Sequence, residues 1–282
     1  MAHDCKCNVE SNLWRHTLIK NYRHKIINPK VSIITICFNS ALTISDSIES
    51  VLSQNYPNIE YIVVDGGSSD GTIEIVNKYK DSISVFISES DNGIYDALNK
   101  GILNSTGDVI ATLHSDDQFC NMNVVSAQMK NLSENHAEFG FSDMIIVDKL
   151  SNKILRYYMS SFFYRGLFRV GWMPPHPTCF IKKSLFDEFG LYSTKYKIAG
   201  DFDFFIRIFY GRSIRWTYLN QISVKMAHGG ESNSGWKSKG LIVTEISRSL
   251  KSNGIWSLTV FQLGRYLIRL LEMLIKPRKG QL

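Results

Sequence analysis

Two adjacent carboxylates, Asp116 and Asp117, follow an apolar stretch and have the residue type and spacing to bind a metal ion. At the end of a buried strand they would repel each other unless a cation or hydrogen bonds compensate their charge. Mg²⁺ and Mn²⁺ commonly take one or two carboxylates together with substrate phosphate oxygens. The pair therefore predicts a metal site for a nucleotide diphosphate, with capping of the next turn as the alternative.

A second acidic pair, Asp201 and Asp203, stands at the start of an apolar helix predicted over 199–210. The helix dipole favours carboxylates in the first turn, so capping alone could account for one of them. The functional alternative is that Asp201 accepts the proton of an incoming hydroxyl group. His176 lies in a proline-punctuated loop over 171–177, where a packed or surface histidine is an equally good interpretation.

Residues 66–71, Gly-Gly-Ser-Ser-Asp-Gly, are only partly similar to a phosphate-binding loop. Thr72 stands where a P-loop requires lysine, and the chain has no G-x-G-x-x-G pattern. These departures exclude the ATPase and dinucleotide-binding interpretations. A tight turn between a strand and a helix, with Asp70 near the helix start, is the remaining interpretation.

The elements that would position these side chains alternate between strand and helix. Short β-branched or apolar runs predict strands over 31–37, 61–65, 83–88 and 108–113. Helical spacing of apolar residues predicts helices over 44–52, 72–79 and 93–102. Such alternation is typical of a parallel α/β sheet, whose ligands bind beyond the carboxyl ends of the strands. The polar side chains that follow the four strands are Asn39, Asp65, Asp91, Asp116 and Asp117.

The composition of the 282 residues is that of a globular protein, with 44% hydrophobic and 21% charged residues. A net charge of +6 indicates an anionic partner, but it does not distinguish between nucleic acid, acidic lipid and a diphosphate ligand. Five scattered cysteines argue against a disulfide framework, and Cys5 and Cys7 lack a second ligand pair for zinc. The charged first thirty residues do not form a signal peptide, so a cytosolic protein is expected.

Five segments, in order, resemble the successive motifs of family 2 inverting glycosyltransferases. They are 31–39 (VSIITICFN), 63–72 (VVDGGSSDGT), 91–101 (DNGIYDALNKG), 115–117 (SDD) and 200–203 (GDFD). The resemblance covers roughly residues 30–235, and the most similar subgroup is that of bacterial enzymes that assemble O-antigen or related polysaccharides. It implies a GT-A fold, with a mostly parallel Rossmann-like sheet and flanking helices.

The resemblance also implies roles for single residues on the donor side. Asp65 would read a uracil-like base, and the Asp116 and Asp117 pair would hold Mn²⁺ or Mg²⁺ with the diphosphate. His114 occupies the place of the first acid of the family's D-x-D form. The other residues expected to contact the donor are Thr35, Phe38, Asn39, Asp91 and Asn99. His228 is expected to contact the donor phosphates or the metal.

On the acceptor side the resemblance makes Asp201 the catalytic base and places His176 and Asp203 near the acceptor. The corresponding division of the chain is an N-terminal extension over 1–29, a donor-binding half over 30–120 and an acceptor-binding half of the same domain over 121–235. A C-terminal helical segment follows over 236–282.

The C-terminal segment is apolar over much of 255–275 but contains three charged residues, so a membrane-spanning helix is not expected. Its polar residues recur at steps of three or four and form one stripe: Gln262, Arg265, Arg269, Glu272 and Lys276. This pattern and the basic residues of 276–279 predict an interfacial helix on the inner face of the cytoplasmic membrane. A helix packed on the core or on a second copy is the alternative.

The resemblance implies transfer of a hexose or N-acetylhexosamine from a nucleotide sugar, with UDP as the favoured nucleotide. The acceptor would be a hydroxyl group of a saccharide or of a polyprenyl-diphosphate-linked acceptor. No nucleic acid partner is expected. A sugar-phosphate nucleotidyltransferase is an alternative, although it would need a basic, glycine-rich loop at 37–40. A non-catalytic sugar-binding or scaffold protein is another. A glycosidase is disfavoured because adjacent carboxylates cannot straddle a glycosidic bond at the required gap of ~5 Å or more.

Overall fold

The first half of the chain forms the parallel part of a sheet. The structure is a computed structural model that describes residues 28–149, 151–228, 236–258, 261–262 and 264–277. Its first four strands are β1 (Val31–Cys37), β2 (Ile59–Asp65), β3 (Val85–Ser88) and β4 (Val109–Thr112). β1 pairs in parallel with β2 and β4, and β2 pairs in parallel with β3. Every residue of β1 is buried, as expected for a central strand with both faces covered.

The helices between these strands lie where the apolar spacing predicts them. They are α1 (Ile44–Leu52), α2 (Thr72–Asn77) and α3 (Ile94–Leu103). Ile44, Ile48 and Val51 of α1 are buried, which is the apolar face that the sequence indicates. α2 ends two residues earlier than predicted, and a short 3-10 turn, Lys80–Ser82, leads into β3.

The second half of the chain continues the same sheet. The strands are β5 (Asp117–Phe119), β6 (Phe139–Val147), β7 (Ile154–Tyr158), β8 (Phe180–Lys182) and β9 (Trp216–Ala227). β8 is antiparallel to both β4 and β6 and so joins the two halves. The described strand order is β3-β2-β1-β4-β8-β6-β9-β5, with β7 beside β6. The α/β prediction is confirmed, and the sheet beyond β4 is mixed.

The remaining helices are α4 (Val124–Glu134), α5 (Lys183–Phe189), α6 (Gly200–Gly211), α7 (Trp236–Ser252) and α8 (Gly264–Leu274). α6 is buried along most of its length, and its Phe205 and Phe209 pack edge-on against Phe139 of β6 at ring-centroid distances of 5.0 and 5.1 Å. This aromatic core holds the first turn of α6, and therefore Asp201, in a fixed position against the sheet.

α8 packs with its polar stripe toward the protein. Gln262, Arg265 and Glu272 are 1%, 7% and 2% exposed, and Glu272 accepts a hydrogen bond from Arg156 of β7 at 2.6 Å. The exposed residues between positions 267 and 275 are apolar: Leu267, Leu270, Leu271, Met273, Leu274 and Ile275. No helix in the described part of the chain is long and apolar enough to cross a membrane.

Candidate functional site

The loop that follows β2 is organised around the buried carboxylate of Asp65. Its Oδ2 accepts hydrogen bonds from the backbone N–H groups of Gly67 and Ser68, both at 3.0 Å, and from the Ser88 hydroxyl at 2.9 Å. Its Oδ1 accepts a short hydrogen bond from the Ser68 hydroxyl. Asp65 is 0% exposed. The structure therefore makes Asp65 an internal anchor of this loop.

Three further residues expected at the donor make contacts within the protein. Thr35 is fully buried and accepts a hydrogen bond from the Tyr61 hydroxyl at 3.1 Å. Asn39 accepts one from the backbone N–H of Ser69 at 3.0 Å. Asn99 exchanges two hydrogen bonds with the backbone of Tyr192, at 2.8 and 3.0 Å. These side chains fasten loops and helices together.

Of the residues expected on the donor side, Phe38 and Asn39 are exposed and Asp91 is partly exposed. The Phe38 ring is 62% exposed, although large apolar side chains are normally buried. A Cβ atom at Gly66 would lie 3.4 Å from the Phe38 ring and would overlap the Asp91 carboxylate. An exposed ring and a carboxylate therefore converge above a glycine, an arrangement that suits the face and the edge of a nucleotide base.

Because Asp65 and Asp91 differ so strongly in burial, the same substitution should have different effects at the two positions. We expect Asp65→Asn to lower the free energy of unfolding by about 3 kcal/mol, since its amide would face N–H donors. Asp91→Asn should change it by less than about 1 kcal/mol but weaken UDP binding several-fold. Urea unfolding and UDP titration measure both. An Asp65→Asn protein of normal stability that no longer binds UDP would contradict this assignment.

Asp116 and Asp117 differ in the same way. Asp116 is partly exposed in the turn that precedes β5, whereas Asp117 is fully buried as the first residue of that strand. Within the described residues, neither carboxylate oxygen of Asp117 has a hydrogen-bond partner. Burial, and then the neighbouring Asp116, raise the pKa of Asp117 well above its usual range. Nε2 of His114 is also buried without a partner in the described part of the chain.

These residues fit a divalent ion that takes part of its coordination from a substrate. Among the described residues, no group of three or more His, Cys, Asp and Glu side chains could enclose a metal ion. Mg²⁺ and Mn²⁺ do not need such a cage, because one or two carboxylates with phosphate oxygens and water suffice. Asp116 offers an accessible carboxylate, and the unpartnered oxygens of Asp117 offer a second.

Asp201 lies in the first turn of α6 with one oxygen bonded and the other free. Oδ1 accepts the backbone N–H of Phe202 at 2.8 Å and lies 3.1 Å from the Tyr95 hydroxyl. Tyr95 is also 2.6 Å from the carbonyl oxygen of Ile198, and its single hydrogen serves only one acceptor at a time. No described residue donates to Oδ2. Burial raises the pKa of Asp201 to about 6, a value suited to a general base near neutral pH.

Asp201 lines a cavity of about 190 Å³ between the sheet and the C-terminal helices. His176, which was predicted to lie near the acceptor, lines the same cavity. The His176 ring is buried, with Nε2 2.8 Å from the Tyr192 hydroxyl and Nδ1 3.4 Å from the Thr112 hydroxyl. Burial lowers the pKa of His176 to about 3, so the ring is neutral. The rest of the lining is largely apolar, apart from Arg156, Arg265 and Arg269.

Asp203 does not share this cavity, contrary to the acceptor-side expectation. Its carboxylate accepts hydrogen bonds from Arg207 at 3.0 Å and from Ser249 of α7 at 2.9 Å. Two residues along a helix differ by about 200° in direction, so Asp203 points away from Asp201. His228 is exposed, and its backbone N–H donates to Val147. Residues 229–235, which follow His228, lie outside the described residues, as do Cys5 and Cys7.

The donor loops and the Asp201 cavity adjoin each other. The loop after β1 contacts the loop after β4 through the Ser40 and Ser115 hydroxyls at 2.8 Å, next to Asp116. The His114 ring then meets the His176 ring at a centroid distance of 6.2 Å. On the other side, a Cβ at Gly200 would lie 2.8 Å from the Tyr95 ring, so only glycine lets that ring approach Asp201 closely.

Sequence reasoning missed Tyr95 and the three arginines of the cavity. Tyr95 falls inside the DNGIYDALNKG segment, where its helical position indicates a core residue as readily as a partner of Asp201. Arg265 and Arg269 belong to the polar stripe of α8, which the sequence analysis recognised but did not connect with Asp201. The stripe itself is the signal that could have found them. If the polar stripe packs against the protein, the apolar residues on the opposite face of α8 must be exposed, so the sequence is compatible with arginines that point inward.

This fold and site define a glycosyltransferase of the GT-A class. The chain belongs to glycosyl transferase family 2, whose model matches residues 32–190, more than half of the chain. An uncharacterized glycosyltransferase of Mycobacterium tuberculosis is 32% identical over 185 residues, which are 64% of this chain and 68% of that protein. A PGL/p-HBAD biosynthesis glycosyltransferase of Mycobacterium bovis is 26% identical over 73% of this chain and 80% of its own length.

Two solved structures share the fold. TarS 1-349 of S. aureus, in complex with UDP-GlcNAc, superposes with a TM-score of 0.64 at 19% identity, over 78% of this chain and 66% of that one. The chain thus spans slightly less than two thirds of that TarS fragment. The mannosyltransferase PcManGT of Pyrobaculum calidifontis, in complex with GDP-Man and Mn²⁺, gives 0.56 at 16% identity over 92% of this chain and 88% of that one. The predicted GT-A fold is confirmed.

Proposed function

We propose that this protein transfers a hexose or N-acetylhexosamine from a UDP-sugar to a hydroxyl group of a lipid-linked saccharide, with inversion at the anomeric carbon. The observation that carries the proposal is the carboxylate of Asp201. It has a free oxygen, a pKa of about 6 and a place in a cavity that adjoins the loops at the strand ends. Family membership supports the class of reaction, and this geometry supports Asp201 as the general base.

The donor would lie across the carboxyl ends of β1, β2 and β4. The Phe38 ring offers a stacking surface for the base, and Asp91 offers an acceptor for the base edge. The diphosphate would face Asp116, whose accessible carboxylate can share a divalent ion with it. Bound Mn²⁺ or Mg²⁺ would neutralise the charge that develops on the leaving diphosphate. The UDP-GlcNAc in TarS and the Mn²⁺ in PcManGT support this choice of donor and metal.

The transfer step assigned to the cavity is a single displacement. The acceptor hydroxyl donates a hydrogen bond to Oδ2 of Asp201 and attacks the anomeric carbon from the face opposite the diphosphate. The new C–O bond forms as the bond to the diphosphate oxygen breaks, the electron pair leaves with the nucleoside diphosphate, and Asp201 keeps the proton. The neutral His176 ring and the Tyr95 hydroxyl hold the cavity wall and the base in place without adding a competing charge.

A screen of donor hydrolysis tests the proposal without knowledge of the acceptor. UDP-GlcNAc, UDP-glucose, GDP-mannose and a dTDP-sugar are each incubated with the protein, with and without Mn²⁺, and the released nucleotide is measured. We expect slow hydrolysis of a UDP-sugar that requires the metal and is lost in Asp201→Asn. Pyrophosphate release from UTP and a sugar phosphate, with no sugar nucleotide hydrolysed, would instead indicate a nucleotidyltransferase.

The lipid-linked acceptor is supported by the exposed apolar face of α8. Leu267, Leu270, Leu271 and Leu274 are each more than half exposed on the same helix that supplies Arg265 to the cavity. An apolar helix face of this kind suits the boundary between lipid headgroups and acyl chains, and Lys276 beyond it suits anionic lipid. The Asp201 cavity would then stand beside the inner face of the cytoplasmic membrane, within reach of an acceptor in bacterial surface polysaccharide synthesis.

Vesicle flotation tests this attachment. We expect the wild-type protein to float with vesicles that contain phosphatidylglycerol, and a variant with Leu270, Leu271 and Leu274 changed to Ser to bind at least ~10-fold less, since each leucine contributes up to about 1.5–3 kcal/mol. Leu103→Ser, which alters an exposed leucine on α3, serves as the matched control. Equal flotation of the triple variant would rule out α8 as the anchor. Loss of a dimer in that variant would point to a second copy as the partner.

A further inference from the structure

Two arginines of the Asp201 cavity form no ion pair within 4 Å among the described residues, although Arg265 interacts electrostatically with Asp201, and Arg269 with Glu272. Of the three that line it, Arg156 is paired, because its Nε donates to Glu272 at 2.6 Å. Glu272 also lies 3.4 Å from the indole nitrogen of Trp172, so its oxygens are engaged. Arg265 and Arg269 are four residues apart on α8 and therefore point to the same side of the helix. Together they bring two positive charges to the cavity wall.

Arg265 is the more unusual of the two. Its residue surface is only 7% exposed, and its Nη1 is buried without a hydrogen-bond partner in the described part of the chain. Burial, and then the neighbouring Arg269, lower the pKa of Arg265 to about 10. A buried, unpaired guanidinium costs free energy that an oppositely charged group would recover. The site is thus built to receive an anion.

The rest of the cavity restricts what that anion can be. Among the described residues that line the cavity, Asp201 is the only carboxylate and the His176 ring is neutral, so the net charge of this lining is positive. Its other walls are largely apolar, with Met144, Ile146 and Met173 among them. The donor-side residues Phe38, Asp91 and Asp116 do not line the cavity. The anion therefore belongs to a second ligand that also carries apolar groups.

We propose that Arg265 and Arg269 bind a phosphate ester of the acceptor, and that they hold the acceptor while its hydroxyl group faces Asp201. The inference rests on the proposed function and adds to it the charge of the acceptor and the residues that recognise it. A guanidinium pair matches a phosphate because each planar fork donates two parallel hydrogen bonds to neighbouring oxygens. The apolar walls accommodate the group that the phosphate is attached to.

Calorimetric titration of the full chain with phenyl phosphate tests the site, in the presence of saturating UDP. We expect binding to the wild-type protein, a loss of at least 10-fold in affinity for Arg265→Gln and a smaller loss for Arg269→Gln. Arg248→Gln removes an exposed arginine of α7 and should bind as the wild type does. Benzyl alcohol and benzoate should bind more weakly than phenyl phosphate, and inorganic phosphate shows how much affinity the ester group adds.

Equal affinity of Arg265→Gln, Arg269→Gln and wild type would overturn the proposal. Displacement of phenyl phosphate by UDP would do so too, because the arginines would then serve the donor diphosphate. Thermal unfolding of each variant checks that it is folded, and the partly exposed Arg269 keeps the test valid if Arg265→Gln does not fold. Wild-type protein that binds phenyl phosphate but hydrolyses no nucleotide sugar would refute the transferase proposal and still support the anion site.

Discussion

Asp201→Asn should abolish sugar transfer while leaving the donor bound. General base catalysis is typically worth ~10² to 10⁴-fold, and Asp201 is the only carboxylate in the described lining of the cavity, so no neighbour can replace it. The substituted amide keeps the size of the side chain and can still accept the N–H of Phe202. The measurement is the transfer rate at saturating donor, together with the dissociation constant of UDP.

The pH dependence provides an independent check of the same base. Because burial raises the pKa of Asp201 to about 6, the carboxylate is protonated below that pH and cannot accept the hydroxyl proton. Transfer should therefore rise about tenfold per unit from pH 4.5 to 5.5 and level off above pH 7. Asp203→Asn is the matched control, since Asp203 lies on the opposite face of α6. A transfer rate in Asp201→Asn within threefold of wild type would remove Asp201 from this role.

Asp116→Asn should have the second large effect, a fall of about 10²-fold or more in kcat/KM for the donor. The substitution removes the accessible carboxylate at the end of β4, and with it the protein's main contribution to a metal-bound diphosphate. The loss should appear as a higher Mn²⁺ concentration needed for half-maximal donor hydrolysis. Transfer assays over a range of Mn²⁺ concentrations measure it.

Asp117→Asn is the control for that experiment. The Asp117 carboxyl is buried without a described partner and its pKa is raised, so an amide of the same shape should be accommodated with a smaller loss, about 10-fold. If Asp117→Asn were as damaging as Asp116→Asn, both carboxylates would bind the metal equally. If neither variant changed the Mn²⁺ dependence, the metal would bind elsewhere or not take part.

The alternating half of the fold was predictable because its signals are local. β1 is a β-branched run, α1 repeats apolar residues at helical spacing, and each is buried as its pattern indicates. β5 and β8 were not predicted, since each has only three residues and gains its stability from the strands beside it. β8 joins the two halves of the sheet, and no property of residues 180–182 alone marks that position.

The roles of individual side chains were harder to predict than their positions in the chain. Asp65 and Asp91 both lie at the ends of strands of the parallel sheet, yet Asp65 is enclosed by its own loop and Asp91 is only half-buried. A sequence motif places both at the strand ends but does not tell which carboxylate satisfies backbone N–H groups. The same difficulty applies to Asp201 and Asp203. Helix periodicity shows that the two side chains point in different directions, but which of them faces the cavity is known only once the buried face of α6 is known.

The polar stripe on α8 was recognised in the sequence, but its contacts were not predicted. The structure buries Arg265 and Glu272 and leaves the leucines exposed. Amphipathicity identifies two faces but not which of them meets the protein. That choice depends on the Arg156 and Glu272 ion pair, which joins residues 116 positions apart and has no local signal.

In the proposed reaction, the anomeric carbon of the donor sugar faces the cavity that contains Asp201. A crystal structure of the Asp201→Asn variant with UDP-GlcNAc and Mn²⁺ tests it most directly. We expect the uracil base against Phe38, the diphosphate at Asp116 and the anomeric carbon open toward residue 201, with space for one hydroxyl group between them. A sugar directed away from α6, with another carboxylate closer to the anomeric carbon, would contradict it.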